Sequence, residues 1–169
     1  MATKADLLIH SAAQLCVIPA HEGGPQRGSR LGDLGLLSDG AIACADGVVA
    51  AVGPTDQIRT DWWAPVEIDG SNRVVCPGFV DPHTHAVFAG DRAAELEQRV
   101  LGATDLEIQA GGGGIMSTVR ATRGASVSQL VDESRPRLDR MLAHGTTTAE
   151  VKTGYGLSTS GELTMLEAI

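Results

Sequence analysis

Two histidines separated by one residue, His83 and His85, directly follow a short apolar stretch that is typical of a buried strand. Residues i and i+2 of a strand point to the same side, so both imidazoles can reach one metal ion. Neutral imidazoles suit zinc and iron, and a bound metal lowers the pKa of its water from about 16 towards about 7. The pair therefore predicts a hydrolytic metal site. The alternative is two solvent-exposed histidines in a turn.

The segments around the pair predict the strand–helix alternation of a parallel sheet or barrel. Residues 74–81 give a first apolar strand that ends at the histidines, and residues 146–152, rich in β-branched side chains, give a second. Catalytic residues of a βα barrel lie at the C-terminal ends of its strands, which is where His83 and His85 are expected.

Polar residues mark where the helices after each strand begin. Ser126 with Gln129 is a capping-box pattern, and the helix that it opens is expected to end at Gly145. Pro136 lies inside this helix and predicts a kink or a restart. Thr159 with Glu162 is a second capping-box pattern, which opens the next helix.

The first 73 residues are β-rich. Two β-prone runs, residues 41–45 and 48–52, flank Asp46-Gly47, with Gly53-Pro54 closing the pattern. An Asp-Gly pair predicts a tight hairpin because both positions tolerate positive φ. Later in the chain, the glycine run at residues 111–114 is not followed by Lys and Ser or Thr, so it predicts flexible backbone near a site and not a phosphate loop.

Four segments in chain order resemble the imidazolonepropionase family of the amidohydrolase superfamily. These are Pro-Gly-Phe-Val-Asp-Pro-His-Thr-His at residues 77–85, Phe-Ala-Gly-Asp-Arg at 88–92, the Gly-Gly-Gly-Ile-x-Ser-Thr-Val-Arg region within 111–123, and Glu-Val-Lys-Thr-Gly-Tyr-Gly-Leu at 150–157. The resemblance runs from about residue 74 to residue 169, and four ordered segments are far more specific than His-x-His alone.

The resemblance implies a mononuclear zinc or iron site in a (β/α)8 barrel flanked by a small β-sandwich. Residues 1–73 would be the β-rich N-terminal segment of that sandwich, and 74–169 the first two βα units of an incomplete barrel. His83 and His85 would be metal ligands, while the family's remaining His and Asp ligands are expected beyond residue 169.

The implied activity is hydrolysis of a carbon–nitrogen bond in a cyclic amide. Hydroxide would attack the carbonyl carbon of 4-imidazolone-5-propanoate and open the ring to N-formimidoyl-L-glutamate, a step of histidine degradation. The catalytic residues other than the metal ligands stay unassigned.

The resemblance assigns substrate binding to Arg92 and Tyr155. The guanidinium of Arg92 matches the propionate carboxylate with two parallel hydrogen bonds; the alternative is a surface ion pair with Asp91 or Glu95. For Tyr155 the alternative is packing against the barrel rim. Asp105 stands where relatives often carry Tyr, so either it faces solvent or the substrate preference differs.

Composition narrows the function classes. The chain of 169 residues is 43% hydrophobic, with a net charge of −8 and no apolar run of eighteen residues, which argues against nucleic acid or membrane as a partner. The expected partner is a small molecule bearing a carboxylate. Three scattered cysteines without a Cys-x-x-Cys pair predict reduced, mostly buried thiols in a cytoplasmic protein. A homodimer of the full-length protein stays open, as does the choice between zinc and iron.

Two other functions remain. The first is another amidohydrolase that acts on a heterocyclic amide or amine. The second, of a different class, is a truncated, non-catalytic metal-binding fragment. Because a complete barrel needs about 250 residues and eight strands, we expect the 169 residues alone to lack activity.

Overall fold

The computed structural model describes residues 2–19 and 24–169. The chain divides into two compact units, Met1–Pro77 and Gly78–Ile169. Strands dominate the first unit and helices the second, so the chain is a mixed α/β structure. Within the described ranges, no helix is long and apolar enough to cross a membrane.

In its described residues, 2–19 and 24–77, the first unit consists of short strands and two short helices. Its elements in chain order are β1 (Thr3–Lys4), β2 (Leu7–Ala12), β3 (Gln14–Cys16), a 3-10 helix (Gly28–Gly32), β4 (Leu36–Leu37), β5 (Gly40–Ala45), β6 (Val48–Pro54), α1 (Thr55–Asp61), β7 (Trp62–Trp63), β8 (Val66–Asp69) and β9 (Val74–Val75). They form a four-stranded sheet in the order β6-β5-β2-β8, a three-stranded sheet β4-β3-β9 and the pair β1-β7. β2 pairs antiparallel with β5 and parallel with β8.

The predicted Asp-Gly hairpin is confirmed. Asp46 and Gly47 both have positive φ, +52° and +76°, and they join the antiparallel strands β5 and β6. The expectation that Gly53-Pro54 closes the hairpin is confirmed, because β6 ends at Pro54, which pairs with Gly40, and α1 begins at Thr55. Proline fits this position because its missing N–H is not needed just before a helix.

Small side chains build the core of the first unit. It is formed by Ala5, Leu8, Ala41, Ala43, Ile58 and Ala64. Ala41 and Ala43 are two residues apart on β5 and therefore face the same side of the sheet. The prediction of mostly buried thiols is wrong, because Cys16 and Cys44 are half-buried and Cys76 is exposed; all three are free.

The second unit contains two strands separated by four helices. Its elements are β10 (Phe79–Thr84), α2 (Ala93–Val100), α3 (Asp105–Ala110), α4 (Ile115–Gly124), α5 (Val127–Ala143), β11 (Thr146–Val151) and α6 (Thr159–Ala168). β10 and β11 are parallel, as the strand–helix alternation predicts, with Phe79 opposite Thr146 and Thr84 opposite Val151. Val87, Ala89, Leu130 and Met165 form its core.

The predicted strand over residues 74–81 is wrong in its bounds. Val74–Val75 is β9, which pairs with β3 in the first unit, and β10 begins at Phe79 and runs on to Thr84. Pro77 interrupts the pattern because it has no N–H to donate to a ladder. Gly78 then passes so close to β11 that a Cβ there would lie 2.1 Å from Thr147 Oγ1.

The caps of the long helix are confirmed, and the helix does not restart at Pro136; the other alternative, a kink, stays a prediction. Ser126 Oγ accepts the N–H of Gln129 at 3.2 Å, and Gly145, with φ +95°, follows the C-cap residue. The exposed Pro136 removes one i→i−4 hydrogen bond, yet α5 continues past it to Ala143.

The cap of the last helix is one residue from the predicted position. Ser158, not Thr159, is the N-cap of α6, and its Oγ accepts the N–H of Gly161 at 3.2 Å. Thr159 is the first helical residue. Ser ranks above Thr as an N-cap residue, which agrees with the cap at Ser158.

Candidate metal centre

The two predicted histidines converge on one point. His83 lies on β10 and His85 directly follows that strand. Their Nε2 atoms are 3.3 Å apart, with ring centroids separated by 5.2 Å. Two nitrogens that bind one zinc ion tetrahedrally at about 2.05 Å are separated by about 3.3 Å. The spacing of this pair therefore fits two ligands of a single zinc-sized ion.

The surroundings of His85 keep its ring in place. Its Nδ1 atom is buried and has no hydrogen-bond partner within the described part of the chain. A Cβ on Gly154 would lie 3.1 Å from His85 Cε1, so the ring packs against bare backbone. The Tyr155 ring meets His85 edge to face at a centroid distance of 5.6 Å. Contacts on both sides therefore point Nε2 towards His83.

Across residues 2–19 and 24–169, no group of three or more His, Cys, Asp or Glu side chains could hold a metal ion. Catalytic zinc sites have three protein ligands and one open position. Two imidazoles are fewer ligands than such a site needs.

An arginine that the sequence did not single out supports the segment after His85. The guanidinium of Arg137 lies 3.6 Å from the centroid of the Phe88 ring. It also donates to the carbonyl oxygens of Ala86 at 3.0 Å and Phe88 at 2.8 Å. Burial lowers the pKa of Arg137. Phe88 in turn packs edge to face on Tyr155, so α5 supports the wall of the site.

The loop between β11 and α6 holds Tyr155 beside His85. Arg123 on α4 donates to the carbonyl oxygens of Gly156 and, at 2.8 Å, of Leu157. Glu162 on α6 accepts the N–H of Leu157 at 2.7 Å. Burial opposes ionisation of Glu162, but hydrogen bonds from the loop outweigh it and keep its pKa below the ordinary value. Arg123 lies at the end of a segment that the sequence already singled out.

Arg92 forms an ion pair with Glu95, the alternative considered from the sequence. Its Nε and Nη2 atoms donate to Glu95 Oε2 at 2.9 and 2.7 Å. Hydrogen bonding to Glu95 raises the pKa of Arg92, and Tyr155 and Asp105 contribute further to the rise. Arg92 also lines a cavity of about 210 Å³ with Gln98 and Ser117.

Asp105 forms an exposed ion pair with Arg99. Its Oδ1 atom lies 2.7 Å from Arg99 Nη2, and its side chain is 67% exposed. As the first residue of α3, it also follows the N-cap Thr104, where a negative charge is favourable with the helix dipole. Of the two possibilities that the sequence left, the structure shows the solvent-facing one.

The chain is similar in sequence to the N-terminal part of several curated enzymes. It is 54% identical to an imidazolonepropionase from Chloroflexus aggregans over 164 residues, which cover 97% of the chain and 38% of that relative. For the imidazolonepropionase of Symbiobacterium thermophilum the identity is 52% over 167 residues, with 97% and 39% covered. The chain thus spans well under half the length of these relatives. No family model matches it.

Solved structures with the same fold are more distant in sequence. An adenosine deaminase from Xanthomonas campestris with bound zinc matches with a TM-score of 0.53 and 23% identity, covering 90% of this chain and 30% of that one. The guanine deaminase of E. coli matches with a TM-score of 0.50 and 18% identity, with 85% and 30% covered. At these identities the similarity concerns the fold of the N-terminal part.

Proposed function

We propose that the full-length protein hydrolyses 4-imidazolone-5-propanoate, since the chain is similar to the N-terminal portion of the imidazolonepropionases. The ring carbon–nitrogen bond next to the carbonyl would break and give N-formimidoyl-L-glutamate, as in histidine degradation. The observation that carries this proposal is 54% identity over 97% of the chain. The convergence of His83 and His85 on one point supports it.

His83 and His85 are the residues that we assign to the metal, one zinc or iron ion. Their Nε2 atoms, 3.3 Å apart, would hold it. When bound, such an ion acidifies water and supplies a hydrolytic nucleophile at neutral pH. The packing of His85 against Gly154 and Tyr155 keeps its ring from turning away. Further ligands would come from later strands.

Arg92 and Tyr155 are the residues that we assign to the substrate. A planar guanidinium can hold a carboxylate through two parallel hydrogen bonds, which suits the propionate group. The hydroxyl of Tyr155 is carried by a loop that α4 and α6 fix through Arg123 and Glu162. Because the loop is held on both sides, the position of the Tyr155 hydroxyl relative to the two histidines is fixed as well.

The remainder of the full-length protein would complete the fold. We propose that residues 1–73 belong to a small β-sandwich and that 74–169 form the first two βα units of a (β/α)8 barrel. The exposed apolar side chains of Phe79 and Val80 on β10 are of the kind that a closed barrel covers, since parallel barrel strands are apolar on both faces.

A substrate panel tests this function. The full-length protein, loaded with zinc or iron, is assayed against 4-imidazolone-5-propanoate, adenosine and guanine. We expect ring opening of the imidazolone, loss of turnover after chelation, and recovery when the metal is restored. Deamination of adenosine or guanine without imidazolone hydrolysis would contradict the proposal and favour another amidohydrolase.

A further inference from the structure

A buried carboxylate holds one edge of the Arg92 guanidinium. Glu95, on the first turn of α2, is only 8% exposed. Its Oε2 atom accepts hydrogen bonds from both Nε and Nη2 of Arg92. Its Oε1 atom accepts a hydrogen bond from the backbone N–H of Gly114 at 2.8 Å. Both oxygens are therefore used inside the protein. These hydrogen bonds, with that from Arg92 the largest, keep the pKa of Glu95 below its ordinary value, although burial opposes this.

The glycine run at residues 111–114, for which the sequence predicted flexible backbone near a site, lies against this carboxylate. Gly112 and Gly114 have positive φ, +86° and +73°. A Cβ on Gly113 would lie 2.7 Å from Ile108 Cγ2 and 3.1 Å from Glu95 Oε1. Side chains in this run would therefore push Glu95 away from the Gly114 N–H. The run is also hydrogen-bonded, since Gly113 donates to the Ile108 carbonyl oxygen at 2.9 Å, and it is held in place instead of flexible.

The opposite edge of the guanidinium has no protein partner. Nη1 and the second N–H of Nη2 make no hydrogen bond within residues 2–19 and 24–169. These two N–H groups are parallel and lie in one plane, which is the arrangement that a carboxylate accepts end-on. Since Glu95 already balances the charge of Arg92, recognition at this edge depends on geometry more than on net charge.

We propose that Glu95 is a positioning residue, held by the glycine run, that orients Arg92 so that its free edge receives the substrate carboxylate. The proposal rests on the assignment of Arg92 to the substrate. An exposed arginine that is ordered before the substrate arrives does not need to lose its rotamer freedom on binding. Removing Glu95 therefore weakens binding of the carboxylate and leaves the bond-breaking step almost unchanged.

Glu95→Gln in the full-length protein tests this role, with Glu97→Gln on the exposed side of the same helix as the matched control. An amide has one acceptor oxygen and cannot serve both Arg92 and the Gly114 N–H. We expect KM for 4-imidazolone-5-propanoate to rise about tenfold with kcat changed less than about twofold. In an Arg92→Lys background the same change should add nothing. The proposal would be overturned if Glu95→Gln raised KM by the same factor in the wild-type and Arg92→Lys backgrounds. It would also be overturned if kcat fell by as large a factor as KM rose.

A spectroscopic readout does not depend on turnover. In protein labelled with ¹⁵N-arginine, the Nε–H resonance of Arg92, identified by its loss in Arg92→Lys, should exchange slowly with solvent. It should exchange quickly in Glu95→Gln and stay slow in Glu97→Gln. Slow, Glu95-dependent exchange in a protein that opens no imidazolone ring would support the positioning role while the proposed function fails. Fast exchange in the wild type would overturn the positioning role even if turnover is normal.

Discussion

Arg92 has one edge of its guanidinium bound to Glu95 and the other edge without a partner in the described chain. A lysine at this position keeps the positive charge but offers a single ammonium group in place of a planar pair of donors. Comparing arginine with lysine at this position therefore distinguishes recognition of the substrate carboxylate by hydrogen-bond geometry from recognition by charge alone.

Arg92→Lys in the full-length protein should lower kcat/KM for 4-imidazolone-5-propanoate by about tenfold or more, because the two parallel hydrogen bonds are lost. An analogue without the propionate carboxylate should be almost unaffected. Arg99→Lys is the control, since Arg99 is engaged with the exposed Asp105. If both substrates lose the same factor, Arg92 has a structural role only.

The sequence could predict the histidine pair, but it could not decide between Asp91 and Glu95 as the ion-pair partner of Arg92. Alternation along a strand is a local rule, and the 3.3 Å between the two Nε2 atoms agrees with it. The Arg92–Glu95 pair and its contact with Gly114 depend on α2 and on the turn before α4. The sequence predicted neither of these elements, so Glu95 appeared only as one of two possible ion-pair partners.

At the scale of elements, the loop between β11 and α6 is fixed by close backbone contact. A Cβ on Gly156 would lie 2.4 Å from the backbone nitrogen of Glu162 and 2.4 Å from the carbonyl carbon of Gly161. Backbone atoms of a helix cannot move aside as the end of a flexible side chain can. The loop therefore needs glycine next to Tyr155.

Gly156→Ala should destabilise the full-length protein by about 1–3 kcal/mol, as overpacking does, and should reduce turnover by displacing Tyr155. Gly124→Ala is the matched control, because a Cβ at that helix end meets no described atom within 4 Å; its effect should stay within about 0.5 kcal/mol. Urea unfolding measures both variants. A Gly156→Ala protein as stable and active as Gly124→Ala would show that the loop adapts.

Elements with strong local sequence signals were predicted, and elements with weak signals were not. The Asp-Gly hairpin and the capped helix α5 follow from turn and cap chemistry within a few residues. Helices α2, α3 and α4 span only eight, six and ten residues. Helices of so few turns repeat their apolar positions too rarely to be recognised from sequence periodicity.

At the scale of the whole molecule, the chain brings two imidazoles together and spans 38% of the length of its Chloroflexus aggregans relative. The sequence predicted the mixed α/β fold of this portion because strand-like and helix-like segments alternate along it. It could not predict that Val74–Val75 joins the sheet of the first unit, since strand pairing across sequence-distant segments leaves no local pattern. The expected inactivity of the 169 residues alone stays a prediction.

The metal content of the full-length protein, measured together with imidazolone ring opening, tests most directly whether His83 and His85 bind a catalytic metal ion. We predict one zinc or iron ion per wild-type chain, and little metal and no turnover in His83→Ala and in His85→Ala, because a catalytic site with few protein ligands tolerates the loss of one poorly. His144→Ala, at the exposed end of α5, should match the wild type. Full metal content and full turnover in His83→Ala would contradict the account.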